Sequence, residues 1–297
     1  MTPSLSLQLT VPVTLAVLFG ALLHASWNAL IKSGVDKSLD TALIHVMGTL
    51  LALPLLLIVG LPPISAMPYL AASIVIHIGY YIALAGAYRH GDLGLTYPIM
   101  RGLAPLLVAI GSGALIGEHL SLLAWAGVAG ISMGVLLVGL VRNTLGRSHH
   151  RAAVLFALSN AVIIAVYTVV DGLGVRVAVA NGGSALQYVS GLFLLDGLPY
   201  FLLIMSQRSG QQRIDAWSYM QKRWPLALLG TVASLGSYGI ALWAMTVAPV
   251  AVVAALREVS VLFAALLGVW LLKESFGFQR GAGTLLIVGG VAALRLA

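Results

Sequence analysis

Residues 94–117 read GLTYPIMRGLAPLLVAIGSGALIG, and residues 250–272 read VAVVAALREVSVLFAALLGVWLL. Each is an apolar run of about the length, roughly 20 residues, with which an α-helix crosses about 30 Å of hydrocarbon. Each carries an arginine well inside, Arg101 in one and Arg257 in the other, 17 residues before a glutamate, Glu118 and Glu274. An arginine at the bilayer centre costs about 2.5–3.5 kcal/mol even on insertion-based scales, so such residues face a bundle interior or a cavity. Two placed alike imply a membrane protein with a duplicated unit and a shared polar interior.

The rest of the chain fits that reading. Of its 297 residues 60% are hydrophobic and 8% charged, against about 25% charged in soluble chains. Apolar runs and their breakers predict spans near 12–31, 39–60, 68–88, 94–117 and 120–140, then 152–171, 184–205, 225–247, 250–272 and 277–295. The expected fold class is an all-α integral membrane protein of ten transmembrane helices. The segments 142–151, 171–183 and 206–223 read as loops too short for a further domain. Met1 to Thr10 lacks Lys and Arg, so the first run reads as a retained span and not a signal peptide.

The absence of cysteine excludes disulfides, thiolate nucleophiles and cysteine metal sites. No glycine-rich phosphate loop followed by Lys-Ser/Thr occurs, which argues against an ATP-driven motor. No residues show a strong metal-ligand spacing, and no cofactor is expected. The net charge of +7 serves orientation and not nucleic-acid binding. Loops after odd-numbered spans carry Lys32, Lys37, Arg89, Arg142, Arg147, Arg151, Arg208, Arg213, Lys222, Arg223, Lys273 and Arg280, whereas the other side has only Arg176 and Arg295. That bias predicts both termini extracytoplasmic in a bacterial-type inner membrane.

Internal likeness extends the repeat. Tyr80-Tyr81-Ile82-Ala83-Leu84 is echoed by Tyr238-Gly239-Ile240-Ala241-Leu242, and Ala126-Gly127 with Gly134-Val135 by Ala282-Gly283 with Gly290-Val291. The chain therefore reads as two five-span units, 1–146 and 147–297. Because five is odd, the second unit enters the membrane from the opposite side, giving inverted repeats around a site near the midplane. That architecture suits a transporter.

Polar groups inside the spans nominate the site. Arg101 and Arg257 suit a carboxylate or phosphate, unless they pair internally, for which Glu258 is at hand. Glu258 is also the candidate for a coupling proton. His24, Asn28 and Lys32 share one face of the first span, His77 precedes Tyr81 by four residues in the third, and Asn160, Tyr167 and Asp171 share a face of the sixth. Trp27, Tyr238 and Trp243 complete the expected lining. Lys32 and Asp171 sit near predicted span ends and read as snorkelling or solvated. Pro98 and Pro105 bracket Arg101 and predict a kink there.

These features together resemble the drug/metabolite transporter superfamily, in particular its ten-span EamA-domain members. The resemblance rests on His24-Ala25-Ser26-Trp27-Asn28, the Ile-Ala-Leu elements of the third and eighth spans, and the runs ending at Gly117-Glu118 and Lys273-Glu274. It implies a cavity between spans one, three, four, six, eight and nine, with five and ten peripheral. It also implies that Glu118 and Glu274 organise helix turns. The opening segment resembles a subgroup linked with phosphonate use. Small four-span multidrug members carry a glutamate in the first span where this chain has His24 and Asn28, so their cation mechanism does not transfer.

The function expected is a non-enzymatic secondary transporter of a small polar solute, anionic or zwitterionic. Its substrate would be bound by Arg101, Arg257, His77, Tyr81, Tyr238, Trp27, Trp243, His24 and Asn28. Partners would be the solute, membrane lipids and a coupling proton or counter-substrate, with a monomer or homodimer as the assembly. The alternatives are an exporter of cationic or hydrophobic drugs, a lipid flippase and a membrane-embedded enzyme.

Overall fold

The computed structural model describes residues 9–91, 93–139, 150–272 and 277–297. Among these residues eleven α-helices follow one another: α1 Val11–Lys32, α2 Lys37–Val59, α3 Met67–His90, α4 Leu93–Ile116, α5 Leu122–Gly139, α6 His150–Ala180, α7 Ala185–Ser206, α8 Gln211–Met245, α9 Val250–Arg257, α10 Ser260–Leu272 and α11 Phe278–Leu296. A 3-10 turn, Ile64–Ala66, leads into α3. Among the described residues nine stretches are long and apolar enough to cross a bilayer. The 19-residue α11 lies along α5 as a further span. The protein is a multi-pass integral membrane protein, and its outer surface is apolar, with Leu57, Ile58, Leu122 and Leu285 all largely exposed. The predicted domain boundary at 146/147, Arg142, Arg147, Lys273 and Glu274 lie outside the described residues.

Two predicted loops are helix. α6 continues to Ala180 instead of ending at Asp171, and α8 begins at Gln211 instead of near 225. At 1.5 Å per residue their 31 and 35 residues span about 46 and 52 Å, longer than the hydrocarbon core. α6 can continue because Arg176, whose charge suggested a loop, is neutralised against Glu118.

The ninth span is where backbone regularity fails. α4 runs unbroken through Pro98 and Pro105. The interruption falls instead at Glu258 and Val259, between α9 and α10, where Glu258 N–H donates to Ala255 O and Val259 N–H to Leu256 O. These are tight i→i−3 bonds of 3-10 type, a frequent mark of a hinge or functional site. No proline or glycine sits there; the turn coincides with an ion pair that Glu258 makes across to α4.

Helices pack across the two halves of the chain: α1 on α8, α3 on α6, α2 on α7, and α5 on α11. The α5–α11 crossing is made by glycines. A Cβ on Gly127 would lie 2.9 Å from Gly290 O, and one on Gly290 would lie 2.7 Å from Gly127 O. Gly134 and Gly283 oppose one another in the same way, at 2.6 and 2.8 Å. Side chains at these four positions would force the backbones apart.

Candidate functional site

Arg101 on α4 and Arg257 at the end of α9 reach one small cavity of about 10 Å³, room for about one water molecule. Ala104, Pro105, Tyr167, Thr168 and Glu258 complete much of its wall. The two arginines differ in what they do. Arg101 is buried, and its Nε lies 2.8 Å from Glu258 Oε2. Neither of those atoms finds a directed hydrogen bond, so the contact is a charge pair with hydrogen-bonding capacity left over. Arg101 Nη2 also donates to His24 Nε2 at 3.3 Å and to Ser260 Oγ at 3.4 Å. An accepting Nε2 fixes His24 as a neutral ring with its proton on Nδ1.

Arg257 makes no ion pair among the described residues. Its guanidinium carbon lies 5.0 Å above the centre of the Tyr238 ring, a cation–π seat that leaves the N–H fork unoccupied. Tyr238 is in turn tied down by its hydroxyl, which donates to Asp171 Oδ2. Tyr188 donates to the other oxygen, Asp171 Oδ1, at 3.1 Å. Asp171 is fully buried, which corrects its expected place at a solvated span end. The close approach depends on Gly174, where a Cβ would fall 2.2 Å from the Tyr188 hydroxyl. His77 on α3 faces the same cluster, 2.8 Å from Ser73 O through Nδ1, and its ring stacks on Tyr167 at 4.5 Å.

The structure thus brings together Arg101, Arg257, Glu258, His24, His77, Tyr238 and Tyr167. Trp27 is half-buried and meets His24 edge-on at 5.1 Å. Asn28 is satisfied locally, its Nδ2 donating to His24 O at 2.8 Å. Trp243 does not join the cavity: it is 42% exposed on the outer face of α8, a correction to its expected lining role. Asn160 is buried, donating to Tyr80 O at 3.4 Å.

Tyr81 belongs to a second polar cluster that the sequence reading missed. Its hydroxyl donates to Asp196 Oδ2 on α7 at 2.6 Å and lies 3.2 Å from His45 Nδ1 on α2. His45 Nδ1 is 3.4 Å from the same carboxylate oxygen, and Tyr200 covers the group. The available signal was Asp196 itself, a lone carboxylate in the run LFLLDGLPYFLL, which is expensive in hydrocarbon without a partner.

Ion pairs close both ends of the bundle. At one end Arg176 Nη2 donates to Glu118 Oε1 at 2.6 Å and to Ala248 O at 3.1 Å, while its Nε donates to Met245 O at 2.7 Å. The same Glu118 oxygen accepts from Val250 N at 3.0 Å, holding the start of α9. At the other end Asp40 receives Arg223 at 3.0 Å and Tyr219 at 3.0 Å, and Asp36 receives Arg208 at 2.7 Å. Burial pushes the Asp36 carboxyl up, but hydrogen bonds from Ser38, Leu39 N–H and Arg208 outweigh it and hold the group below its ordinary value. Beside this end a groove of about 550 Å³ opens between the starts of α2 and α8 and the end of α7.

No curated protein sequence matches the chain. A solved structure titled "Crystal structure of protein" superposes on 96% of this chain and 98% of its own, with a TM-score of 0.75 and 22% identity. At that identity the likeness is one of fold. Residues 151–296, the half that contributes Tyr167, Asp171, Tyr238, Arg257 and Glu258, match the EamA-like transporter family, which supports the drug/metabolite transporter resemblance.

Proposed function

We propose that the protein is a secondary transporter that moves a small anionic or zwitterionic metabolite across the membrane by alternating access. The observation that carries this reading is Arg257: a guanidinium in the central cavity, seated on Tyr238 and without a carboxylate partner among the described residues. A permanent charge held in the bundle with its fork open suits a carboxylate, phosphonate or phosphate. Arg101 shares its charge with Glu258 and adds its remaining donors to the same anion.

Two inverted five-helix units, 1–146 and 147–297, supply the moving parts. The reciprocal glycine contacts support this: Gly127 and Gly283 are equivalent in the repeat, as are Gly134 and Gly290, and each meets the other's counterpart, the pattern of a two-fold contact. Ion pairs at both ends and a cavity the size of one water fit an occluded member of the transport cycle. The charge bias across the spans favours extracytoplasmic termini in an inner membrane.

The test is uptake and efflux of a metabolite panel, phosphonates and phosphate esters included, in sealed vesicles with and without a pH gradient. Transport that is lost in Arg257→Ala and weakened in Arg101→Ala is the expected result. Transport of hydrophobic cations alone, or anion transport indifferent to both substitutions in folded protein, refutes the reading.

A further inference from the structure

We infer that Asp171 is an anion-linked proton site: it takes up a proton when an anion settles on Arg257, and Tyr238 joins the two. This rests on the reading of Arg257 as an anion site. Arg101 and Arg257 contribute two positive charges, and Glu258 beside the cavity and Asp171 behind Tyr238 two negative ones, so these four buried groups balance. A monoanion entering this group leaves one uncompensated negative charge in a low-dielectric interior, which one proton removes.

Two carboxylates could accept that proton, and their surroundings differ. Protonating Glu258 would dissolve its 2.8 Å pair with Arg101. Protonating Asp171 breaks no ion pair among the described residues, because its hydrogen bonds there come from the hydroxyls of Tyr188 and Tyr238. A hydroxyl can rotate and accept where it had donated, so the protonated acid keeps hydrogen-bond partners within the cluster. The groups around Asp171 are His77 from α3, Tyr188 from α7, Tyr238 from α8 and Tyr167 on its own helix, while Arg101, Arg257 and Glu258 lie on the far side of Tyr238 and Tyr167, around the cavity. His77, within 3.2 Å of the Ser73 hydroxyl and stacked on cavity-lining Tyr167, offers a proton path to the cavity. A sodium ion would need room among these oxygens, and the cavity does not reach Asp171.

Tyr238 makes the link direct. Its ring carries Arg257 and its hydroxyl holds Asp171, so any turn of the hydroxyl on protonation is felt where the anion sits. Linkage is reciprocal: anion binding draws a proton in, and a proton tightens anion binding.

The probe is methanesulfonate, a monoanion that carries no proton of its own near neutrality, added to purified protein in weakly buffered detergent with a pH dye. Wild type takes up about one proton per bound anion, and its apparent Kd rises by up to about tenfold per pH unit above the uptake midpoint. Asp171→Asn binds the anion without proton uptake, and its Kd is flat with pH. Tyr188→Phe and Tyr238→Phe keep the charge count and each remove one donor from Asp171, so both displace the uptake profile toward higher pH. Profiles unmoved in both tyrosine variants assign the proton to another group and overturn the inference. Binding that needs Arg257 but moves no proton overturns the linkage alone, whereas binding that Arg257→Ala does not weaken overturns the anion site and this inference with it.

Discussion

Glu258→Gln should make the protein less stable and a better anion binder at once. The 2.8 Å separation of Arg101 Nε and Glu258 Oε2 corresponds to an attraction of about 6 kcal/mol at an effective dielectric constant of 20. Part of that returns when the carboxylate is no longer desolvated, and removing one partner of a buried pair typically costs roughly 3–5 kcal/mol. For a chain of this size that lowers Tm in detergent by on the order of 10 °C. The same change leaves the cavity group one positive charge in excess, so a saturating anion such as methanesulfonate raises Tm by more in the variant than in wild type. Replacing both partners, Arg101→Met with Glu258→Leu, removes the unpaired charge and recovers most of the lost stability. The assay is thermal unfolding of purified protein followed by tryptophan fluorescence, with and without the anion. A Glu258→Gln protein that melts with wild type, or a double variant that melts no higher than the single one, refutes the pairing as described.

Two further predictions concern the ends of the bundle. The chain has no cysteine, so Ala254→Cys in the cavity wall reports opening: with Glu118→Gln added, the latch to Arg176 and Val250 N–H weakens by about 1.5–3 kcal/mol, and labelling by a membrane-impermeant thiol reagent in nanodiscs accelerates about tenfold or more. An unchanged rate shows that this end does not gate the cavity. At the other end Asp36, whose carboxyl is held below its ordinary value by Ser38, Leu39 N–H and Arg208, contributes stability above its unfolded pKa that is lost as pH falls through the folded value. The Tm advantage of wild type over Asp36→Asn is therefore present at pH 7 and shrinks below about pH 4; an advantage unchanged down to pH 3 contradicts the role given to Arg208 and Ser38.

The membrane class and most spans were legible because hydrocarbon imposes one requirement on every crossing segment, and length and apolarity meet it visibly. Arg101 and Arg257 could be paired from equal spacing to their glutamates, and they do reach one cavity. The partners could not be read, because they are chosen by packing across the halves: Glu258 neutralises Arg101 on α4 and not its own neighbour Arg257. Asp171 was placed too shallow because Arg176 looked like the end of the apolar run, whereas Glu118 and two carbonyls absorb that charge and let α6 continue. Trp243 faces outward, a matter of helix rotation about its axis that a single aromatic does not reveal. His45 and Asp196 were visible as costly residues in spans, but their convergence on Tyr81 required three helices to meet.

The glycine crossing of α5 and α11 limits how this molecule can move. Where two backbones touch, there are no side chains to change rotamer and absorb a displacement. Sliding one helix along the other would carry Ala126 or Val135 to where Gly127 or Gly134 now meets a carbonyl oxygen. Tilting about the crossing point keeps the contact in place. The seam therefore behaves as a bearing: its geometry resists translation and permits rotation.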